Sequence, residues 1–587
     1  MKYTVKRSTS NDIFYRIFEN RRIDLKDVDD FLKPQKNCVT TPLIYKNMEE
    51  GFDLLKHHME SKSLILFVVD ADTDGFCSSA TFINYLRFSL KYTNVAYVFH
   101  EKKKHGLTKQ IMSEIQRVQP DLVIVADAGS GDYKQHKELK EEGIDLLIID
   151  HHECDGYSGD AIVINNQLSN GNYTLCGAGM VLKFLEYIDM RLLLNQSEYY
   201  QDLVALALVA DGMDMTELET RYYVLNGLRN INNPFLKQVV KEVDNPYEFI
   251  AYGIAPVVNA IIRMGEMKDK KDLFECMLYH NRKETINIRG KGIVEMPLAE
   301  YVVKLSERMK SRQTRQIDKI LNSEDTIVIN ENYPFTILIH TDGTAQSLSG
   351  LIAGKVAEKY NKPTLVLREK IKDGMLVYGG SARSIRTFPN FKDYLVGSNK
   401  FQKCEGHQSA FGVNISADKL QEFLDEYMFR QLPISATNHI VDKAYRGDRG
   451  ERVSAYEIAV VDGLKQHWSK GFEQAKFFIR LQDINSTDIK TMGADGRTIK
   501  IQDNGISFIK FKCTEEEANT LTREGFKTID IIGTFNINRW NNRNYPQVKI
   551  EEFEVTSHMD FDDVNSPFGY SPVEDDTKLF GYNPFKL

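Results

Sequence analysis

Short apolar runs separated by longer mixed segments characterise residues 60–165. Three of these runs lead directly into an aspartate: Leu64–Val69 into Asp70, Leu122–Ala126 into Asp127, and Leu146–Ile149 into Asp150. The segments between the runs are long enough for a crossover helix, which is typical of a parallel α/β sheet. Because open parallel sheets bind ligands beyond the carboxyl ends of their strands, we expect the three aspartates to converge on one edge.

Two further patterns predict a connecting helix and a second α/β domain. Residues 296–322 carry apolar side chains at helical spacing among Lys, Arg and Gln, and predict one long helix between domains. Beyond Thr326, predicted strands near Phe335–His340 and Thr364–Leu367 flank a predicted helix from Leu348 to Tyr360. We therefore expect a smaller α/β domain after the long helix.

The last third of the chain has a β-rich pattern with turn signals such as Asp495-Gly496. The predicted strands are Phe477–Leu481, Ile506–Lys512, Ile529–Asn536 and Gln547–Phe553. This pattern predicts a small barrel, which either binds single-stranded nucleic acid or serves as a structural domain. The same alternatives apply to Trp540, which is either a stacking platform for bases or part of the core.

The C-terminal residues 558–587 contain six acidic residues and two lysines, a charge of -4 out of the -8 of the whole chain. They lack apolar periodicity, and we expect a disordered acidic tail. Phe568-Gly569-Tyr570-Ser571-Pro572 recurs as Phe580-Gly581-Tyr582-Asn583-Pro584. Such aromatic units suit docking into the pocket of a partner protein, and an inert solubilising tail is the alternative.

Composition is that of an ordinary globular protein, with 42% hydrophobic and 27% charged residues among 587. A single core rarely grows beyond about 250–300 residues, so several domains are expected. The longest apolar run, Leu203–Ala210, is far shorter than the roughly 20 residues of a membrane span. With no secretory signal at the N-terminus, we expect a cytoplasmic protein without membrane contact. Seven scattered cysteines favour reduced thiols over disulfides or structural zinc.

The candidate chemistry lies in the aspartates after the apolar runs. Asp70, Asp72 and Asp74 alternate before Gly75, and Asp150 is followed by His151 and His152; Asp127 and Asp211 each end an apolar run. Carboxylates mixed with a few imidazoles suit Mn²⁺ or Mg²⁺, and two such ions about 3.5–4 Å apart form the kind of centre that hydrolyses phosphoesters.

A lone aspartate at a strand end is more often a turn former or helix cap, and we assign Asp121 and Asp145 that role. His57 and His58, by contrast, have no strand before them and are predicted on a helix surface.

These motifs resemble those of a known family. The Asp-x-Asp-x-Asp-Gly of residues 70–75, Asp127, Asp150-His151-His152 and Ala210-Asp211 look like the first four motifs of the DHH phosphoesterases. Leu175–Gly179, Asn259–Met264 and Ser381–Ile385 are similar to further motifs of the RecJ-type single-strand-specific exonucleases. Glu405-Gly406-His407 is similar to the Gly-Gly-His of that branch, with Glu405 in place of the first glycine. The match spans about residues 14–555.

The resemblance implies a fold and a division into domains. The fold is α/β and two-lobed, with a parallel-sheet DHH domain, a smaller DHH-associated α/β domain and a C-terminal OB-like β-barrel. The implied segments are an N-terminal leader (1–45), a DHH catalytic domain (46–295), a connecting helix (296–322), a DHH-associated domain (323–430), an OB-like single-strand-binding domain (431–557) and the tail (558–587).

The resemblance also implies the roles of the site residues. Asp70, Asp72 and Asp127 would bind one divalent ion, and Asp74, Asp127, His151 and Asp211 the other, with Asp127 bridging. Asp150 would orient His151, and His152 would contact the scissile phosphate. The implied phosphate and DNA contacts are His152, Arg263, Ser381, Arg383, Ser384, Gly406 and His407. The metal motifs show no departure from the family pattern, and this disfavours a silent scaffold.

The implied activity is metal-dependent degradation of single-stranded DNA from the 5′ end, with release of nucleoside 5′-monophosphates. The enzyme would be a monomer that binds two Mn²⁺ or Mg²⁺ ions. It would act in recombination, repair or replication. Two alternatives stay open. One is a DHH nuclease or phosphodiesterase for short RNA or cyclic dinucleotides, and the other is a catalytically silent DNA-binding replication component.

Overall fold

The computed structural model describes residues 1–559 apart from 102–103, 170, 241–242, 289, 341–346, 373–374, 386, 428, 433–437, 448–449, 494–495 and 542. The predicted tail from residue 560 onward and Asp495 of the predicted turn therefore lie outside the described residues. Contacts divide the chain into two compact units. The parallel-sheet unit comprises Ile23–Ala436 and Gln466–Glu473, and the mixed-sheet unit comprises Met1–Arg22, Thr437–Lys465 and the residues from Gln474 on.

The first elements belong partly to each unit. Strand β1 (Lys2–Val5) and helix α1 (Ile13–Glu19) lie in the mixed-sheet unit, and helices α2 (Val28–Leu32) and α3 (Met48–Glu60) lie in the parallel-sheet unit. The sequence-based leader of residues 1–45 thus includes parts of both units, and its boundary stays a prediction.

The first sheet alternates strands with helices. Its elements are β2 (Ile65–Val69), α4 (Thr73–Asn84), β3 (Val95–Phe99), α5 (Lys109–Val118), β4 (Leu122–Ala126), α6 (Tyr133–Glu141), β5 (Asp145–Asp150) and β6 (Ile162–Asn165). The strand order is β3-β2-β4-β5-β6, and every neighbouring pair is parallel. This confirms the parallel α/β sheet predicted from the apolar runs.

Both faces of this sheet are covered, which explains why its strands are apolar throughout. Phe67 of β2 packs into a core on one face, and Leu66 and Val68 pack into a second core on the other. Strands of parallel sheets buried on two faces lose the alternation of polar and apolar residues seen in half-exposed strands.

A helical layer follows the sheet. It consists of α7 (Gly177–Leu192), α8 (Gln201–Ala210), α9 (Leu218–Arg229), α10 (Pro234–Val239), α11 (Pro246–Glu248), α12 (Ala255–Met264) and α13 (Met267–Met277). Helices α4, α7 and α8 pack on one another, and every residue of α4 is buried. A hairpin of β7 (Lys283–Ile288) and β8 (Gly292–Pro297) then leads into α14 (Leu298–Leu321), which confirms the long helix predicted for residues 296–322.

A second sheet follows α14. Its elements are β9 (Ile327–Ile329), β10 (Thr336–His340), α15 (Ser349–Tyr360), β11 (Thr364–Lys372), β12 (Met375–Arg383), α16 (Phe391–Gly397), β13 (Lys403–His407), β14 (Ala410–Ser416) and α17 (Ala417–Tyr427). The order is β13-β14-β12-β11-β10-β9, with a parallel β10–β11 pair and the other pairs antiparallel. The predicted strand–helix–strand pattern is confirmed, because α15 supplies the crossover that a parallel pair requires.

The mixed-sheet unit contains the β-rich C-terminal region. Its remaining elements are β15 (Asn438–Val441), β16 (Lys443–Arg446), α18 (Ala455–Gly463), β17 (Phe477–Asn485), β18 (Ile489–Met492), β19 (Thr498–Asp503), β20 (Ile506–Lys510), α19 (Glu515–Thr522), β21 (Phe526–Trp540) and β22 (Arg543–Met559). The seven-stranded order is β16-β17-β21-β22-β20-β19-β18, and β1 pairs with β15. The four predicted strands are confirmed, although β21 and β22 are longer than predicted and carry β-bulges.

Two further observations bear on the sequence analysis. Trp540 is 66% exposed, so it is not part of the core. In the part of the chain that the structure describes, none of the helices combines the length and apolarity needed to cross a bilayer.

Candidate metal centre

The predicted aspartates lie at the carboxyl edge of the five-stranded sheet. Asp70 follows β2, Asp127 follows β4, and Asp150 ends β5. Asp211 follows the last residue of α8, which packs against α4. Asp70, Asp127 and Asp150 are each at most 2% exposed, so their charges are largely removed from water. The edge predicted from the apolar runs is thus a concentrated, buried acidic site.

The loop from Asp70 to Gly75 requires glycine at its last position. Asp72 caps the N-terminus of α4, and its side chain accepts a hydrogen bond from Gly75 N at 3.1 Å. A Cβ atom at Gly75 would lie 2.5 Å from Cβ of Asp70 and 2.8 Å from its Cα. The close approach of the helix to the strand end therefore requires glycine at this position.

Asp74 is held by the N-terminus of α7. Its carboxylate accepts hydrogen bonds from Gly177 N at 2.7 Å and Ala178 N at 2.9 Å. The thiol of Cys176 donates a third at 3.2 Å. A carboxylate at a helix N-terminus satisfies free backbone donors and lies at the positive end of the helix dipole. Asp74 is thereby fixed before any ion binds.

Asp127 adopts an unusual backbone conformation. Its φ is +72°, a region that residues other than glycine rarely occupy. A Cβ at Gly177 would lie 2.4 Å from Cβ of Asp127, so helix α7 can begin there only with glycine. Asp127 Oδ1 is buried without a hydrogen-bond partner among the described residues, 3.2 Å from Nε2 of His151.

His151 lies among three carboxylates. Its Nε2 atom is 3.2 Å from Asp127 Oδ1, 3.7 Å from Asp211 Oδ2 and 3.8 Å from Asp74 Oδ2. Burial lowers the pKa of His151, which favours the neutral imidazole that can bind a metal ion. The structure thus brings together the four residues predicted to bind the second ion.

Asp150 contacts both histidines that follow it. Its Oδ1 accepts a hydrogen bond from Nδ1 of His152 at 2.8 Å, and His151 contributes only its backbone N–H at 2.7 Å. Ser130 N donates to the other oxygen at 3.1 Å. The turn after β5 thus folds the His152 ring back onto Asp150, while Asp150 contacts His151 through the backbone; that Asp150 orients His151 stays a prediction.

The ionisation of this pair favours a cationic His152. Burial acts to raise the pKa of Asp150, but the hydrogen bond and charge of His152 outweigh it and hold the pKa below its ordinary value. The bond to Asp150 raises the pKa of His152 to about 9 despite burial. A protonated His152, with 57% of its side chain exposed, can donate to an anion at the site.

The remaining carboxylates are difficult to ionise together. Burial, followed by the charges of Asp74, Asp72 and Asp70, raises the pKa of Asp127 well above its ordinary range. Burial and the neighbouring Asp74 and Asp72 raise the pKa of Asp211 to about 8. Such crowding of like charges is relieved when a cation binds.

Three groups of side chains among the described residues are spaced to hold a metal ion, with ligand atoms within 4.8 Å of one another. The groups are Asp74-His151-Asp211, Asp127-His151-His152 and Asp70-Asp72-His105. The residues present therefore fit the divalent ions expected from the sequence, and Asp127 Oδ1 accepts no hydrogen bond among the described residues. The assignment of individual ligands to each ion stays a prediction.

The predicted phosphate contacts divide into two groups. Arg263 on α12 lies close enough for its charge to interact with Asp72, and Arg383 at the end of β12 interacts with Arg263. Burial lowers the pKa of each guanidinium, and the neighbouring charge of Arg263 lowers that of Arg383 further. Two cations held near each other favour an anion between them.

The other predicted contacts lie in or directly after strands of the second sheet. Ser381 lies within β12, and Ser384 N donates to Ser409 O at 2.8 Å. Gly406 and His407 are exposed on β13. None of the four contacts the metal-site carboxylates within the described ranges, so their roles stay predictions.

Several predictions outside the site can also be compared with the structure. Asp121 accepts a hydrogen bond from Leu64 N at 2.7 Å, a contact 57 residues away in sequence, so its predicted role as turn former or helix cap stays a prediction. His57 is exposed as predicted, but His58 is buried and contacts Asp145 and Ser63, each at 3.0 Å. The prediction for His58 was wrong because its side chain faces the carboxylate that begins β5. All seven cysteines are free.

The sequence analysis missed His105 and the backbone donors at the start of α7. His105 lies in the loop after β3, and the apolar run of β3 is not followed by an aspartate. The pattern of aspartates after apolar runs therefore does not include this loop. Its Nδ1 atom lies 2.5 Å from Asp70 Oδ2. The signal available in the sequence was a histidine followed by Gly106 in the loop after a strand of the same sheet.

The fold and site together define a DHH-type protein, and comparison with known proteins agrees. Residues 64–210 match the DHH family, N-terminal domain, and residues 454–552 match the RecJ OB domain. A Bacillus subtilis (strain 168) protein named as the SPbeta prophage-derived single-strand DNA-specific exonuclease YorK is 31% identical over 562 residues, which cover 92% of this chain and 95% of that protein. The chain therefore belongs to the RecJ/YorK family of DHH proteins.

Two other relatives extend the comparison. The single-stranded-DNA-specific exonuclease RecJ of Bacillus subtilis (strain 168) is 23% identical over 547 residues, 89% of this chain and 65% of that protein. The crystal structure of RecJ in complex with Mn²⁺ from Thermus thermophilus matches 93% of this chain and 76% of that chain, with a TM-score of 0.70 at 17% identity. The structural match concerns the fold, which is confirmed as that of RecJ with a C-terminal OB domain.

Proposed function

We propose that this chain is a metal-dependent exonuclease that degrades single-stranded DNA from the 5′ end and releases nucleoside 5′-monophosphates. The observation that carries the proposal is the position of Asp127 and His151 among further carboxylates, with a buried Asp127 oxygen that accepts no hydrogen bond among the described residues. The names of the YorK and RecJ relatives support the substrate class. Recombination, repair or replication in the cytoplasm is the corresponding biological setting.

The chain's own residues would hold two divalent ions, Mn²⁺ or Mg²⁺. Asp70, Asp72 and Asp127 are the ligands proposed for one ion, and Asp74, Asp127, His151 and Asp211 those for the other. Ions bound in this way activate water and stabilise the leaving oxygen during phosphodiester hydrolysis. Asp127 would contribute to both, and its positive φ supports a functional role because strained backbone conformations cluster at active sites.

The remaining residues would bind the DNA backbone. His152, kept protonated by Asp150, would donate a hydrogen bond to the scissile phosphate. Arg263 and Arg383 would bind the terminal phosphate, because guanidinium groups can form paired charge-assisted hydrogen bonds to phosphate. Ser381, Ser384, Gly406 and His407 are proposed to line the path of the strand beyond them.

The mixed-sheet unit is proposed to bind single-stranded DNA. Trp540 is 66% exposed near the end of β21, and Tyr545 on the paired β22 is 41% exposed. Exposed aromatic rings are suitable surfaces for base stacking. Docking of replication or recombination proteins through residues 558–587, and a monomeric state, are proposed from the sequence.

A panel of substrates tests the proposal. The purified chain is incubated with Mn²⁺ and 3′-labelled single-stranded DNA, duplex DNA, single-stranded RNA or a cyclic dinucleotide. We expect fast hydrolysis of single-stranded DNA and little of the others. Preference for RNA or a cyclic dinucleotide would identify another DHH phosphodiesterase, and DNA binding without hydrolysis in any metal would identify a silent binding protein.

A further inference from the structure

The loop between β3 and α5 brings an imidazole to the acidic edge of the parallel sheet. The β3 strand is parallel to β2 and neighbours it, so its carboxyl end lies beside Asp70. His105 in this loop has its Nδ1 atom 2.5 Å from Asp70 Oδ2. Ligands of open parallel sheets bind at this edge, so His105 lies where the fold places binding residues.

The backbone on the C-terminal side of His105 is fixed. Gly106 N donates to Asp70 Oδ1 at 3.2 Å, and Leu107 N donates to Asp132 Oδ2 at 2.7 Å. Gly106 has φ +69°, and a Cβ there would lie 2.3 Å from Asp132 Oδ2. The loop therefore presents His105 to Asp70 through a tight turn, while 48% of the His105 side chain stays accessible from solvent.

A second imidazole contacts the same carboxylate from within the core. His100 is 2% exposed, and its Nε2 lies 3.7 Å from Asp70 Oδ1. Neither ring nitrogen has a hydrogen-bond partner among the described residues. A buried polar group without a hydrogen-bond partner calls for an explanation, such as strain, a catalytic role, or a bound ion or water molecule.

The side chains at the two ends of the acidic site are alike in composition. One group contains Asp74, Asp211 and the imidazole of His151. The other contains Asp70, Asp72 and the imidazole of His105, with ligand atoms again within 4.8 Å of one another. A site with two carboxylates and one imidazole therefore occurs twice.

We propose that His105 is a ligand of the divalent ion held by Asp70 and Asp72, so that each ion of the centre has one imidazole ligand. This assignment rests on the proposed function, because it requires that the chain bind two ions. The alternative is that His105 only hydrogen-bonds Asp70 and orients it from outside the coordination sphere. These two roles differ in whether a His105 nitrogen contacts the metal.

An imidazole ligand at this position determines which metal binds well. Oxygen ligands suit both Mg²⁺ and Mn²⁺, whereas nitrogen ligands favour transition metals over Mg²⁺. Removing the His105 nitrogen should therefore weaken Mn²⁺ binding at one site and change Mg²⁺ binding little. Because outer partners of metal ligands already change affinity 10–100-fold, loss of a ligand should weaken that site by at least about tenfold.

The test is a Mn²⁺ titration of the full chain, in which free Mn²⁺ is followed by electron paramagnetic resonance. We expect two sites in the wild type. In His105→Ala, one site should be weakened at least about tenfold while the other is unchanged. His57→Ala, which removes an exposed histidine on α3, is the matched control and should bind as the wild type does. Circular dichroism melting of each variant establishes that it is folded.

A second readout separates ligation from positioning. Pulsed electron paramagnetic resonance of the Mn²⁺-loaded wild type should show ¹⁴N coupling from two imidazoles, and His105→Ala should retain one of them. His105→Gln keeps a side chain that can hydrogen-bond Asp70 but has no imidazole nitrogen, and it should behave like His105→Ala. Recovery of wild-type affinity by His105→Gln would identify a hydrogen-bonding role and overturn the ligand assignment.

The outcomes distinguish this inference from the proposed function. If the wild type binds no Mn²⁺, the two-ion centre and the His105 assignment are both wrong. If the wild type binds two ions and His105→Ala retains both affinities and the full ¹⁴N coupling, only the His105 assignment is wrong. Weakened binding with unchanged ¹⁴N coupling also overturns it.

Discussion

Asp127 combines a strained backbone with a buried carboxylate oxygen that accepts no hydrogen bond among the described residues, and both features support the bridging role that we propose for it. Its φ of +72° is costly for most residues, whereas asparagine tolerates this region as well as aspartate does. Asp127→Asn therefore removes the charge while retaining the backbone conformation, which makes it a more informative substitution than alanine.

We predict that Asp127→Asn lowers the rate of single-strand hydrolysis roughly 100-fold or more, because outer-shell changes alone cost 10–100-fold. Stability without metal should not fall, since burial already raises the pKa of this carboxyl well above its ordinary range. Initial rates and thermal melting provide the measurement, with Asp53→Asn on the exposed face of α3 as control. Activity above about a tenth of the wild type would exclude a bridging ligand.

A substitution at Gly177 tests the packing of the site without changing the charge of any side chain. A Cβ atom there would lie 2.4 Å from Cβ of Asp127, so Gly177→Ala must displace the carboxylate or the start of α7. We predict loss of most Mn²⁺ binding and hydrolysis, measured by titration and initial rates. Gly354→Ala in α15, where no atom lies within 4 Å of the added Cβ, should leave both unchanged. Equal behaviour of the two variants would contradict this account.

At the residue scale, the sequence predicted the aspartates of the site because each follows a recognisable apolar run. It could not predict that Asp150 contacts the His152 ring rather than that of His151, because this depends on the turn after β5. It also missed His105, since the sequence does not indicate that the loop after β3 folds back onto Asp70.

At the scale of elements, residues 466–473 are attached to the parallel-sheet unit through a buried arginine. Arg221 of α9 is fully buried and donates to Phe31 O at 2.7 Å and to Nδ1 of His467 at 2.8 Å. Because a guanidinium only donates, Nδ1 of His467 must be the acceptor and must be unprotonated. Burial, followed by the charge of Arg221, lowers the pKa of His467 to about 4.

We predict that this contact is lost in acid. Between pH 6.5 and about 4 the unfolded chain binds a proton at His467 that the folded chain does not, so stability falls as the pH falls. The effect is at most about 3 kcal/mol, since one pKa unit corresponds to about 1.4 kcal/mol. His467→Gln retains an acceptor without titrating and should lose less stability between pH 7.5 and 5.

Thermal melting followed by the fluorescence of Trp468, which is 3% exposed in the same segment, measures the effect. The wild type and His467→Gln should differ in how far the melting temperature falls between the two pH values. An equal fall of the melting temperature in both proteins would show that protonation of His467 does not cause the loss of stability in acid.

The sequence predicted the helices and strands that pack against elements close to them in the chain. The parallel strands, α14 and the helix between β10 and β11 were recognisable because burial on defined faces sets their hydrophobic pattern. The pairing of β1 with β15 joins residues more than 430 positions apart, and no local pattern indicates it. The length of β21 and β22 was also underestimated, because polar residues at their exposed ends interrupt the apolar pattern.

At the scale of the whole molecule, the division into units is not contiguous in sequence. Residues 466–473 belong to the parallel-sheet unit although the chain on both sides belongs to the other. Domain boundaries predicted from a sequence assume that each domain is one continuous segment. The prediction of one OB-like segment from 431 to 557 therefore could not assign residues 466–473 to the other unit.

We predict that the C-terminal residues are dispensable for hydrolysis. Strand β22 continues to Met559, where it pairs with Phe526, so a deletion should begin at residue 560 rather than at the predicted 558. Removing residues 560–587 should leave the rate on naked single-stranded DNA within about twofold of the full chain, because no predicted metal or phosphate contact lies there. A greater loss would assign these residues to the hydrolytic reaction.

The most direct test of the central claim is the first product released from a 5′-³²P-labelled single strand under single-turnover conditions. The account predicts that the label appears as a nucleoside 5′-monophosphate with Mn²⁺ present, and that it stays in the full-length strand with chelator or with Asp127→Asn. A label found first in longer oligonucleotides, or released equally without metal, would contradict a metal-dependent exonuclease that acts from the 5′ end.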